Sequence, residues 1–197
     1  MKLIADYHTH TVYSGKSHAK GTIEENVKVA IDKGLKTIGI SDHGYSHIMY
    51  GLNKKNIPNI REEIDILNEK YKEINILFGV ECNILDDKGN IDMDEHFRKY
   101  FDYVMAGYHY GSMPTGIRSL CNHFENYVLK SEKACIYNTK AIVNAMKNND
   151  IFCITHPGDN GKIFIEEVSD VALKTNTFLE INSSHGFLTV EELRKIL

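Results

Sequence analysis

Residues 2–10 read KLIADYHTH, an apolar run that closes on two histidines one residue apart. Strand side chains alternate between faces, so Asp6, His8 and His10 are predicted to share one face, with the carboxylate able to orient an imidazole from behind. An H-x-H at a strand end lets two rings reach one ion. Four later apolar runs end in the same way. TIGIS leads into Asp42-His43-Gly44, INILFGV into Glu81, VMAGY into His109, and FCIT into His156-Pro157-Gly158.

Most of these runs are continuous rather than alternating, as in parallel strands covered by helices. Strands are predicted at 2–8, 37–42, 74–83, 103–109, 151–156 and 178–182. Helical patterns lie between them. Thr22 and Glu25 form a T-x-x-E capping box, with Ile23, Val27, Ile31 and Leu35 near one face and Gly34 as the stop. A second helix starts at Pro58 and carries Ile60, Ile64, Leu67 and Tyr71. A long helix is predicted over 124–148, with Tyr137, Ala141, Ala145, Ile142 and Met146 buried, another over 165–174, and short turns over 94–100 that carry His96 outward.

From His10 through His43, Glu81, His109 and His156 to Asn182 the steps are 33, 38, 28, 47 and 26 residues. A βα barrel of eight units in about 250 residues averages roughly 31 per unit, and it keeps its chemistry at the carboxyl ends of the strands. No G-x-G-x-x-G follows the first strand and no Walker A loop is present, so a nucleotide-binding sheet loses support. The fold class is therefore α/β, a distorted (β/α)7 TIM-like barrel. A second capping box, Thr189 with Glu192, begins an apolar stripe at Leu193, Ile196 and Leu197 just before the last residue. The expectation drawn from it is a barrel truncated after its sixth strand, whose bare edge favours self-association.

At 197 residues, 42% hydrophobic and 25% charged, one ordinary globular domain over 1–197 is expected. The net charge of −4, with acids and lysines interspersed, offers no basic stripe for nucleic acid, so that partner is not favoured. No apolar run is long enough for a membrane span and the N-terminus lacks a secretion signal, which makes a cytoplasmic protein the expectation. Cys82, Cys121, Cys135 and Cys153 are far apart and form no C-x-x-C pair, as expected of reduced thiols packed in the interior.

Glu81 lies inside an apolar run, where an unpaired charge would cost several kcal/mol and a bridge between cations would remove the cost. Gly44 is read as permitting a sharp exit after His43, and Ala106 with Gly107 as leaving room near His109. His18, in the loop SGKSHAKGT, reads equally well as an ordinary surface histidine. His47, His96 and His123 read as surface residues, and His185 as a further candidate to face the site. Arg118 and Lys162 are candidate phosphate contacts, against the plainer reading of solvated loop charges.

DYHTHT, ISDHG, GVECNI, AGYHYG and ITHPGD together resemble, in order, the motifs of the PHP family, the polymerase and histidinol phosphatase domains. The resemblance covers residues 1–184 and is closest to small stand-alone phosphatases with three metal ions. It implies a first ion on His8, His10 and bridging Glu81, a second on Glu81, His109 and His156, and a third on His18 and His43. The last D-x-H motif of the family has no counterpart after Asn182. Up to three divalent ions (zinc, manganese or iron) are thus the implied cofactors, with Glu81, His109 and His156 carrying catalysis. The implied activity is hydrolysis of small phosphomonoesters by a metal-activated water. The alternatives are a phosphodiesterase or nuclease of the same family, or an inactive metal-binding remnant.

Overall fold

The computed structural model describes residues 3–15, 17–182 and 188–196. Six strands, β1 (Ala5–Thr9), β2 (Thr37–Ile40), β3 (Asn75–Asn83), β4 (Tyr103–Gly107), β5 (Cys153–Ile154) and β6 (Phe178–Leu179), alternate with helices along the chain. The helices are α1 (Ile23–Asp32), α2 (Ile57–Lys70), α3 (Glu95–Arg98), α4 (Ile117–Phe124), α5 (Glu132–Asn148), α6 (Ile165–Thr175) and α7 (Val190–Ile196). The α/β reading thus holds. The described residues fall into two compact units, one of residues 3–81 and 93–104, the other of 82–92 and 105–196.

In the first unit β1, β2 and β3 pair in chain order and in parallel. Helix α1 starts on the anticipated capping box, Thr22 accepting from the Glu25 N–H while Glu25 accepts from the Thr22 N–H. Its face of Ile23, Val27 and Ala30 is buried. Helix α2 has Pro58 in its first turn and buries Ile57, Ile60, Ile64 and Leu67 at helical spacing. The β2–β3 register, Thr37 against Asn75 through Ile40 against Phe78, continues beyond the regular ladder to pair His43 with Glu81. Backbone pairing alone therefore sets an imidazole beside the carboxylate.

Strand β1 departs from regular alternation. Asp6 pairs with Ile38 but Thr9 with Ile40, so three steps on one strand match two on the other, which is a bulge. Asp6 then lines, with Thr9, a groove against α1, and its carboxylate accepts the His8 backbone N–H at 3.0 Å. It does not share the face of His8 and His10 as strict alternation predicts.

In the second unit β4, β5 and β6 pair in parallel, Met105 against Cys153 and Cys153 against Phe178. The long helix expected over 124–148 is broken. Helix α4 widens into a π-helical turn, Glu125–Leu129, which ends at Lys130 in a left-handed conformation (φ 51°), and Ser131 caps a new helix, α5, by accepting from the Ala134 N–H. Tyr137, Ala141, Ala145, Ile142 and Met146 are buried as expected. Cys82 and Cys153 are buried, but Cys121 is exposed and Cys135 half-buried, so only two of the four thiols lie in the interior. No described helix is long and apolar enough to cross a membrane.

Candidate metal centre

The first unit gathers four histidines around one carboxylate. Glu81 is fully buried at the end of β3, its peptide N–H bound to the Asp42 carbonyl and its carbonyl to the Gly44 N–H. Gly44 thus extends the pairing with Glu81 by one bond without a positive φ, and the chain turns directly after it, its carbonyl accepting from the His47 N–H. His8 Nε2 lies 3.4 Å from Glu81 Oε1, His10 Nε2 3.6 Å from Oε2, and His43 Nδ1 2.9 Å from Oε2. His18 Nε2 and His43 Nε2 are 3.1 Å apart.

Asp42 makes His18 reachable. Its carboxylate accepts from the Thr11 N–H and hydroxyl, each at 2.7 Å, and from the Ser14 hydroxyl at 2.6 Å, which pins the short turn Val12–Ser14 against the end of β2. Gly15 (φ 87°) then carries the chain round to His18.

A donor set for cations needs neutral imidazoles and spacings that hydrogen bonds do not explain. Burial drives the His10 ring down to about 2, overriding the pull of Glu81, and it lowers His18 as well, so both rings carry lone pairs at neutral pH. The buried His10 Nδ1 finds no hydrogen-bond partner among the described residues. Separations of 3.4 and 3.6 Å exceed a good N–H···O bond. Two ligand atoms each about 2.1 Å from one ion at a tetrahedral angle would stand roughly 3.4 Å apart. His8, His10 and Glu81 form one group able to hold an ion, and His10, His18 and His43 another.

His47 stacks on His43 with ring centroids 4.8 Å apart, and Tyr50 stacks on His18 at 4.6 Å. Sequence reasoning put His47 on the surface and passed over Tyr50. The signal was present in HGYSHIMY, where an aromatic pair at short spacing follows a ligand-type histidine.

The second unit pairs His109 with His156, both buried, their ring centroids 5.1 Å apart. Asp92 accepts from the Asn83 N–H at 2.7 Å and from its side-chain amide at 2.6 Å, which turns Asn83 Oδ1 toward His109 Nδ1, 2.9 Å away. An oxygen there requires Nδ1 to carry the proton, so the lone pair sits on Nε2. A Cβ at Gly107 would press on the His109 ring and the Thr155 hydroxyl, so the expected room is used. His156 has φ 29°, a strained value for a residue with a side chain, and its N–H is held at 2.7 Å by the Glu180 carboxylate. Asn83 and Glu180 were both missed in the sequence, although Glu180 ends an apolar strand just as Glu81 does.

Arg118 is bound to Asp87 at 2.8 Å, a structural ion pair rather than a waiting phosphate contact. His96 is exposed as expected, whereas His123 packs on Tyr127 with centroids 5.2 Å apart. His185 lies outside the described residues.

Parallel α/β units whose strand ends carry buried histidine and carboxylate donors define an α/β protein with groups able to hold metal ions. The chain belongs to the PHP domain family, whose model matches residues 6–184. It is similar to a probable phosphatase of Thermoanaerobacter sp. (strain X514), 38% identical over 190 residues, 93% of this chain and 66% of that protein. A probable phosphatase of Caldanaerobacter subterraneus is 37% identical over 195 residues, 96% of this chain and 65% of its own length. The chain therefore spans slightly under two thirds of these relatives. Its fold matches a solved candidate histidinol phosphatase from Listeria monocytogenes with a TM-score of 0.68 at 14% identity, covering 93% of this chain and 84% of that one. The histidinol phosphate phosphatase of Lactococcus lactis, solved with zinc, L-histidinol and phosphate, matches with a TM-score of 0.61 at 20% identity, over 90% and 72% of the two chains.

Proposed function

We propose that this chain is a metal-dependent phosphoesterase acting on small phosphomonoesters, and that His8, His10, His18, His43, Glu81, His109 and His156 bind its ions. The observation that carries the reading is the buried Glu81 carboxylate with three imidazole nitrogens within 3.6 Å. Relatives named probable phosphatases and a structural neighbour holding zinc and phosphate support it. When bound, divalent ions in such a set polarise phosphoryl oxygens and lower the pKa of a coordinated water, which makes a nucleophile available at neutral pH.

The residues of the chain fix the donors. Glu81 supplies the negative charge, with its backbone N–H and carbonyl both bound by the segment that follows β2, at Asp42 and Gly44. His10 and His18 stay neutral and so present lone pairs rather than protons. Asn83 fixes the His109 tautomer and Glu180 the His156 backbone. The stacked rings of His47 and Tyr50 hold the His43 and His18 rings in place, His43 buried and His18 at the exposed rim. Six imidazoles and one carboxylate leave divalent ions with excess positive charge, which suits a phosphate dianion.

The test is elemental analysis with turnover of 4-nitrophenyl phosphate, its diester and single-stranded DNA. Wild type should retain divalent metal and prefer the monoester, and Glu81→Gln should lose both metal and at least a hundredfold in kcat/KM, beyond the 10–100-fold typical of an outer partner. Diester-only or DNA-only cleavage would favour the nuclease alternative. Bound metal without any turnover would favour the inactive remnant.

A further inference from the structure

The loop that follows His156 and the junction between α4 and α5 line a half-open cavity of about 420 Å3 in the second unit, a size typical of small-molecule sites. It adjoins the His109–His156 pair through the chain itself: Tyr110 follows His109, and Asp159, three residues after His156, has its carboxylate 4.0 Å from the His156 ring. Tyr110 and Tyr127 stand edge to face, centroids 4.5 Å apart at 81°, and form an aromatic wall for a flat group. The buried Tyr127 hydroxyl makes no well-formed hydrogen bond with a described group, and the Asn126 amide next to it is committed to the Asn160 carbonyl (2.6 Å) and to Asn138 (3.0 Å).

Lys130 and Lys162 line the same cavity, and neither ammonium meets a carboxylate within ion-pair distance among the described residues. The one acid in the lining, Asp159, already accepts from the Asn160 amide at 2.7 Å. The cavity is therefore net positive. It is also built in advance: buried Asn138 ties the Lys162 carbonyl to Asn126, and a Cβ on Gly161 would run into both asparagines.

We propose that this cavity is the leaving-group subsite and that it takes a planar group bearing a negative charge, so that the substrates are anionic aromatic or heterocyclic phosphomonoesters. The inference rests on the phosphoesterase reading above. Its test uses the metal-supplemented chain with phenyl phosphate, 4-carboxyphenyl phosphate and 4-(aminomethyl)phenyl phosphate, which share the scissile bond and differ at the far end. Two exposed ammonium groups should give a carboxylate-over-amine preference in kcat/KM of roughly tenfold. That preference should fall at least threefold in the double variant Lys130→Gln/Lys162→Gln, a comparison in which the intrinsic reactivities cancel. The same preference in wild type and variant, or an amine preference in wild type, overturns the subsite. If no ester is turned over, the phosphoesterase reading fails, and saturation-transfer NMR with 4-hydroxybenzoate and 4-hydroxybenzylamine decides the subsite separately. Benzoate binding that weakens in the double variant supports it; no binding, or stronger amine binding, overturns it.

Discussion

Asn83 shows how much of this centre depends on residues that bind nothing themselves. With its backbone N–H and its side-chain amide both directed at Asp92, its oxygen faces His109, and the lone pair of that ring is thereby fixed on Nε2. Asn83→Leu, which removes the acceptor facing His109, should cost roughly 10–100-fold in metal affinity or activity. Unchanged affinity in metal titration of the folded variant would mean that the contact is packing alone. The ligand-type residues themselves were legible because they end apolar strands. Their supporters were not. Asp6 looked like the partner of a histidine, but one extra residue in β1 turned it toward α1, and a bulge leaves no mark in a pattern of period two. Asn83 sat within GVECNI as an unremarked polar residue, and its role depends on Asp92, nine positions later, folding back onto it.

At the scale of elements, the glycines of TIGIS and FGV receive an explanation from a strand that lies far from them in the sequence. The Tyr103 phenol, at the start of β4, donates to the Tyr7 carbonyl at 2.6 Å, and a Cβ at Gly39 or Gly79 would strike its hydroxyl or its ring. Burial holds that phenol well above the usual tyrosine range, so it stays a donor. Gly79→Ala should therefore destabilise by about 1–3 kcal/mol in urea unfolding, through overpacking. Adding Tyr103→Leu should cost less than the two single changes together, and strict additivity would count against the contact. Helix α1, with its capping box, and helices α2 and α6, with their apolar faces, read correctly from the sequence because those signals are local. The break between α4 and α5 did not, since ENYVLKSEKA carries no glycine or proline and Lys130 adopts its left-handed turn without either.

For the whole molecule, ion binding and folding should be linked, because the donors are assembled only in the folded chain. Metal present at a hundred times its Kd adds about 2.7 kcal/mol. For a domain of 150–250 residues, at about 2–4 °C per kcal/mol, this raises the thermal midpoint by roughly 5–10 °C. Chelation followed by scanning calorimetry should show that drop in wild type and a much smaller one in Glu81→Gln; an unchanged midpoint on chelation would argue against ions held by these groups. The left-handed turn at Lys130 carries a different consequence. A basic, solvent-facing side chain at the seam between two helices is a place where trypsin can engage the backbone after opening only one turn, so brief digestion should nick the native protein there first. An occupant anchored by that ammonium would slow the nick, and the digestion ladder becomes a readout of occupancy that needs no chromogenic substrate.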